Sequence, residues 1–225
     1  MSRVQDDVYY MHAAKLPFVA RISRWARTQV YQRFMEIMQP SPMTTVLDLG
    51  VSLDGKSVEA NMLEQLYPYK HNIVCAGLPG SPASLDRYPD IKFVTIEPHK
   101  PLPFRDAEFD VVYSNAVVEH VGARSDQARF INEAARVGRR LFIVVPNRLF
   151  PVEHHTGLPL VHYLPLSVFR SLLRRSPWKY WSTEEHLNPL FGREFRSLFG
   201  PERRVKLVYC GLGVGPFRSN IVGYT

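Results

Sequence analysis

Five short apolar segments that alternate with turns and helical patterns restrict the fold of this chain more than any other feature. The segments cover residues 44–49, 72–78, 91–96, 109–114 and 141–145. A helical pattern follows the first of them, where Val58, Met62 and Leu66 recur every four residues. Strands that alternate with helices form parallel sheets, because a parallel pair needs a long crossover connection. The alternation therefore predicts an α/β fold.

The two ends of the chain complete this prediction. A helical pattern covers residues 16–38, and residues 205–210 and 219–224 flank a glycine-rich turn that is typical of a hairpin. One apolar stripe is predicted along the first helix, formed by Phe18, Val19, Ile22, Trp25, Ala26, Val30, Phe34 and Ile37. We predict a doubly wound, seven-stranded, mostly parallel sheet with an antiparallel terminal hairpin.

The chain is short enough for one domain, which we divide into four segments. Residues 1–42 form an N-terminal helical segment, and 43–146 form the core with the parallel strands. Residues 147–200 are rich in proline, aromatic residues and histidine. Since they follow the fifth strand, we predict that they cover the carboxyl edge of the sheet. Residues 201–225 form the closing hairpin.

The composition limits the partners and the compartment. The formal net charge of +7 is compatible with an anionic partner, and equally with an ordinary soluble surface. The first helix carries arginines at positions 21, 24 and 27. These form either a solvated face or, alternatively, a contact with a membrane surface or a nucleic acid. Cys75 and Cys210 lie in apolar segments and predict buried free thiols. Without a signal-peptide pattern or an apolar run of about 20 residues, we expect a cytoplasmic protein.

Two blocks of sequence carry a resemblance to a known family. The first is Val46-Leu47-Asp48-Leu49-Gly50, and the second comprises Leu102-Pro103-Phe104, Phe109-Asp110-Val111-Val112 and Val118-Glu119-His120-Val121. Together they resemble the class I (Rossmann-like) S-adenosylmethionine-dependent methyltransferases, in particular the small-molecule branch. The resemblance implies that S-adenosyl-L-methionine is the cofactor.

The resemblance also implies which residues bind the cofactor. Asp48 and Gly50 would face its methionine part, Glu97 would lie near the adenine, and Asn115 and Ala116 would line the pocket. Ser52 stands where the family has its second glycine, and Leu78 follows the second strand. The sequence departs from the family at Pro79, in the region where an acidic residue usually binds the ribose hydroxyls. Loss of such a contact weakens binding by ~1.5–3 kcal/mol.

Three histidines are the candidate catalytic residues. His120 follows the fourth strand, while His154 and His155 follow the fifth strand, at the predicted mouth of the site. Histidine has a pKa suited to a base near neutral pH, although an acceptor that loses no proton needs none. Glu153, His154 and His155 also suggest a metal site, but no third histidine or cysteine lies at helical or hairpin spacing. We therefore predict no metal.

The sequence thus predicts an enzyme that transfers a methyl group in line to a small-molecule, sugar or lipid-linked acceptor. Arginines of the C-terminal third suit an anionic acceptor. One alternative is a degenerate fold that binds a ligand or partner without catalysis. Another is an RNA methyltransferase, but Ser114-Asn115-Ala116-Val117 stands where such enzymes carry an Asn/Asp-Pro-Pro-aromatic motif, so a nucleic acid is not favoured. The acceptor and the oligomeric state stay open.

Overall fold

A computed structural model describes residues 17–51, 61–79 and 88–225, and the side chains from residue 21 onward within them. The first part of the helical pattern after the first strand and Ser52 lie outside these residues. The described strands form one seven-stranded sheet. They are β1 Val46–Leu49, β2 Ile73–Gly77, β3 Lys92–Thr95, β4 Phe109–Asn115, β5 Gly138–Pro146, β6 Lys206–Cys210 and β7 Asn220–Tyr224.

The order of the strands in the sheet is β3-β2-β1-β4-β5-β7-β6. β1 pairs in parallel with both β2 and β4, with Val46 opposite Val111 and Asp48 opposite Tyr113 in the second pair. β7 pairs antiparallel with β5 and with β6. The predicted fold, including the terminal hairpin, is therefore confirmed. The strand order reverses between β1 and β4, where doubly wound sheets bind their ligands.

Helices cover both faces of the sheet. The described helices are α1 Pro17–Met38, α2 Met62–Leu66, α3 Arg124–Val137, α4 Leu166–Arg174 and α5 Gly192–Ser197. Leu47 and Leu49 belong to the same core cluster as Ile131 of α3, while Val46 belongs to the opposite cluster with Phe34 of α1. Side chains alternate between the faces of a strand, so β1 contributes to both cores.

The buried stripe of α1 differs from the predicted one. Ala26, Val30, Phe34 and Met38 are buried, whereas Trp25 is 49% exposed. The buried residues recur at every fourth position, and Trp25 lies about 100° around the helix from Ala26. None of the helices in the described ranges combines the length and the apolar composition that spanning a bilayer requires. Cys75 and Cys210 are free and buried, as predicted.

Residues 147–200 contain a small core of their own. Phe169 and Leu173 of α4 pack with Trp181 and Leu187 in a cluster separate from the two clusters of the sheet. We call residues 158–187 the cover, because the segment that contains them is hydrogen-bonded to the loop after β4 through Asn188. The small core gives the cover a packing that does not depend on sheet residues.

We expect Phe34→Ala to destabilise the protein by about 3–5 kcal/mol, because it removes a fully buried ring. Phe34 makes edge contacts with Tyr113 and Phe142, each with ring centroids 5.3 Å apart. Phe217→Ala is the matched control, since Phe217 is 50% exposed. Denaturant unfolding measures both, and equal losses would contradict the assignment of Phe34 to the core.

Candidate functional site

A crevice of about 440 Å³ opens at the carboxyl edge of the sheet. Leu49 of β1, Leu78 after β2 and Ile96 after β3 form its floor, and Gly122 and Ala123 before α3 form one wall. The remaining lining residues come from the loops after β3 and β4, from α3 and from the cover: Glu97, Pro98, His99, Lys100, Leu102, His120, Val121, Asp126, Arg129, Phe130, Glu133, Glu184 and Glu185. The crevice therefore lies where the fold predicts a ligand.

The lining combines apolar and acidic side chains. Leu78, Ile96 and Phe130 offer apolar surface to a flat ring, and several carboxylates lie around them. Glu97 is exposed and forms an ion pair with Lys100 at 2.6 Å. An apolar floor with acidic groups fits a ligand that has an aromatic base and positive charges. S-Adenosylmethionine, with its adenine, sulfonium and ammonium, has this chemistry.

Two of the predicted cofactor residues, Leu78 and Glu97, line the crevice. Asn115 and Ala116 do not, although Ala116 has a left-handed backbone with a φ of 57° and donates its N–H to the carbonyl of Val144. Ser52 cannot be placed, because it lies outside the described residues. The loop after β4 therefore contributes to the crevice through residues 120–123 and not through Asn115 and Ala116, and the loop after β3 contributes more residues than the sequence predicts.

Asp48 also differs from the prediction. Its side chain is buried on the face of the sheet opposite to Leu49, beside Glu64 and Cys75. Burial, followed by the charge of Glu64 and a hydrogen bond with it, raises the pKa of Asp48 well above its usual range. Alternation along β1 explains the difference, because it turns Leu49 toward the crevice and Asp48 away from it.

Gly50 packs against the loop after β4. Its φ is 94°, and a Cβ atom at this position would lie 2.4 Å from Cγ2 of Val117. A side chain is therefore excluded both by the backbone conformation and by the neighbour. Gly50 brings the end of β1 close to Val117 and is absent from the lining of the crevice.

His120 and His155 meet at one side of the crevice. Their Nε2 atoms are 3.1 Å apart, although the residues lie 35 positions apart in the chain. His120 Nδ1 lies 2.5 Å from the carbonyl oxygen of His186, and His155 Nδ1 lies 2.8 Å from Oε1 of Glu153. Trp181 packs beside both imidazole rings. His154 is apart from this contact, with an exposed side chain beside Phe150.

Two buried glutamates flank the histidine pair in different ways. Glu153 accepts hydrogen bonds from the backbone N–H groups of His155 and Thr156 and from the Thr156 hydroxyl. Burial raises the pKa of Glu153, but the charge of His155 and these hydrogen bonds outweigh burial and hold it below its usual range. Neither carboxylate oxygen of Glu119 has a hydrogen-bond partner among the described residues. Burial, the largest effect, raises the pKa of Glu119 to about 7.

The same environment shifts the pKa values of the two histidines in opposite directions. Burial, together with the charge of His155, lowers the pKa of His120 to about 3. Burial also lowers the pKa of His155, but the charge of Glu153 and the hydrogen bond with it raise that pKa above its ordinary value.

Asn188 holds the cover against the loop after β4. Its backbone N–H donates to the carbonyl of Glu119 at 2.7 Å, and its side-chain amide donates to the carbonyl of Gly122 at 2.9 Å. Its own carbonyl accepts from the side chains of Gln127 and Arg124. These bonds hold the segment that also carries Glu184 and Glu185, two lining residues that no local motif in the sequence marks.

Comparisons with known proteins agree with this geometry. Residues 56–141 match the family described as methyltransferase domain. No curated protein sequence matches the chain. Similar solved structures include an S-adenosylmethionine-dependent methyltransferase from Thermotoga maritima, with a TM-score of 0.61, 13% identity and coverage of 96% of this chain and 97% of the other.

Two further solved structures have the same fold. Magnesium protoporphyrin IX methyltransferase from Synechocystis, with bound S-adenosylhomocysteine, has a TM-score of 0.58 and 13% identity, and the match covers 99% of this chain and 94% of the other. An S-adenosylmethionine-dependent methyltransferase from Aquifex aeolicus has a TM-score of 0.55 and 14% identity over 94% of this chain and 93% of the other. At these identities, the likeness establishes the fold.

Gly50→Ala is expected to destabilise the protein by about 1–3 kcal/mol, through backbone strain and the contact with Val117. A double-mutant cycle with Val117→Ala separates the two causes. In the Val117→Ala background the cost of Gly50→Ala should be smaller, since the overlap with the two Val117 methyl groups is removed, while the strain of the positive φ and the contact with Cβ of residue 117 at 3.1 Å remain. An unchanged cost, measured by thermal or denaturant unfolding, would show that the Val117 contact does not restrict position 50.

Proposed function

We propose that this chain, a member of the class I S-adenosylmethionine-dependent methyltransferase family, methylates a hydroxyl or amine of a small molecule bound between the crevice and the cover. S-Adenosylmethionine is the cofactor, and it supplies a methyl group on a sulfonium. The observation that carries the proposal is the position of the crevice. It lies at the carboxyl edge of the sheet, and the cover brings Glu184 and Glu185 to it.

The cofactor would lie on the apolar floor of the crevice. Leu78 and Ile96 would contact the adenine, and Glu97 would accept a hydrogen bond from the cofactor. Pro79, which is exposed, offers no carboxylate for the ribose after β2. Glu184 and Glu185 bring carboxylates into the same crevice from the cover and compensate for that loss. Asp48, Gly50, Asn115 and Ala116 lie outside the lining of the crevice and would act indirectly, by positioning the ends of β1 and β4 around it.

The acceptor would lie next to His120, which lines the crevice and contacts His155. An acceptor held here is close to groups that can orient a hydroxyl or an amine, and Trp181 helps to exclude water from them. His154 is a further candidate at the edge of this region. Arg170 is held by Glu184 at 2.9 Å and by Asn188 at 3.2 Å, so it is not presented to an anionic acceptor. A neutral or amine-bearing acceptor fits the acidic lining better.

Isothermal titration calorimetry with S-adenosylmethionine and S-adenosylhomocysteine tests the cofactor site. Both should bind to the wild-type protein, and Glu97→Ala should weaken binding roughly tenfold, which is the equivalent of one hydrogen bond to a charged group. Glu202→Ala, an equal change of charge at an exposed residue outside the crevice, should leave the affinity unchanged. No binding to the wild type would favour the degenerate-fold alternative.

The double variant His154→Ala, His155→Ala tests the acceptor site. Release of S-adenosylhomocysteine is measured with a panel of hydroxyl- and amine-bearing sugars, lipids and metabolites. We expect turnover on an accepted compound to fall at least tenfold, as is typical for the loss of a group that acts on the acceptor, while cofactor affinity stays the same. Single variants show which histidine causes the loss. Full turnover, or a collapse of cofactor binding, would place the acceptor elsewhere.

A further inference from the structure

Glu119, His120 and His155 form a cluster of ligand atoms beside the crevice. One carboxylate oxygen and the two histidine nitrogens all lie within 4.8 Å of one another. The Nε2 atoms are 3.1 Å apart, and His120 Nε2 lies 3.6 Å from Oε1 of Glu119. Three ligands of a tetrahedral metal ion with bonds of 2.0–2.1 Å are about 3.3 Å apart. The observed separations lie on either side of this value.

The hydrogen bonds of the two imidazoles turn their Nε2 atoms toward one another as acceptors. The carbonyl of His186 can only accept, so Nδ1 of His120 is its donor. The carboxylate of Glu153 also takes hydrogen bonds from Thr156, and it orients Nδ1 of His155 in the same way. Two lone pairs at 3.1 Å repel each other unless a proton or a metal ion lies between them.

The environment of Glu119 favours a metal ion over a proton between the two Nε2 atoms. Its side chain is 1% exposed, and neither of its oxygens has a hydrogen-bond partner among the described residues. A buried carboxylate without partners is costly. A proton shared by the histidines would leave both oxygens of Glu119 unsatisfied, whereas a cation bound by the two Nε2 atoms would bind an oxygen of Glu119 as well. The Glu153–His155 pair is the carboxylate–histidine arrangement that orients metal ligands.

We propose that Glu119, His120 and His155 bind a divalent transition metal ion, for which Zn²⁺ is the best match in ligand type and spacing. Two histidines and one glutamate are a ligand set of catalytic zinc sites, which leave a fourth position open. Because His120 lines the crevice, the ion lies at the crevice wall. Its role rests on the proposed function: the ion would lower the pKa of a hydroxyl bound at the open position, so that the hydroxyl would lose its proton to solvent. The resulting oxygen anion would take the methyl group as the bond from that carbon to the sulfonium sulfur breaks, which leaves S-adenosylhomocysteine. The histidines then act through the ion and not as bases.

The sequence predicts no metal because ligand spacing along the chain is visible only between nearby residues. Glu153, His154 and His155 have no third ligand at helical or hairpin spacing. The fold supplies Glu119 and His120 from the loop after β4, and it leaves His154 outside the cluster. Of the three neighbouring residues, His155 is the ligand and Glu153 is its orienting group.

Zn²⁺ titration of the full chain, stripped with a chelator, tests the site by competition with a chromophoric indicator. The wild type should bind one Zn²⁺ per chain. Glu119→Gln, which keeps the shape but removes the charge, should bind at least about tenfold more weakly, and His155→Ala more weakly still. His154→Ala is the matched control, with a histidine removed next to the site, and should bind like the wild type. Circular dichroism establishes that each variant is folded.

Co²⁺ gives a measurement that needs no variant. Bound at this site, it should show the intense visible absorption of a four-coordinate ion, and Zn²⁺ should displace it. No Zn²⁺ binding by the wild type, or equal binding by Glu119→Gln and His155→Ala, would overturn the proposal. Titration of the same proteins with S-adenosylmethionine tests the proposed function separately. If the wild type binds Zn²⁺ but not S-adenosylmethionine, the metal site stands and the proposed function is wrong.

Discussion

The attachment of Asn188 to the loop after β4 is the interaction on which the candidate site depends. Through its backbone and side chain, Asn188 donates to the carbonyls of Glu119 and Gly122, and its own carbonyl accepts from two side chains. A buried amide that uses its donors and acceptors in this way permits one position of the chain. The bonds join the segment after β5 to the loop after β4, so that both contribute to one wall of the crevice.

The fold could be predicted almost entirely from the sequence. Each parallel strand is a short apolar segment, and burial on both faces makes such segments continuous in hydrophobicity. The boundaries were less predictable. β5 begins at Gly138, three residues before the apolar run at Leu141, because Arg139 and Arg140 continue the strand with exposed side chains. Hydrogen bonds with a neighbouring strand extend β5 where hydrophobicity gives no signal.

The site was less predictable than the fold. His120 and His155 were each proposed from their place after a strand, but their contact could not be predicted, because it depends on how the segment after β5 packs against the loop after β4. The position of Asp48 was missed for a local reason. The family motif gives the residue type, while the alternation of β1 decides the face, and Asp48 points to the opposite side from Leu49. A motif thus indicates candidate residues to within a few positions, and the alternation along the strand decides which face of the sheet each side chain occupies.

The separate core of the cover has an evolutionary consequence. Phe169, Leu173, Trp181 and Leu187 stabilise the cover among themselves, and the strands of the sheet are stabilised by two other clusters. Substitutions within the core of the cover therefore leave the packing of the sheet, and with it the floor of the crevice, largely intact. With the acceptor at the cover, as proposed, a lineage with this architecture would change its acceptor by drift within about thirty residues while the chemistry of the fold is inherited unchanged.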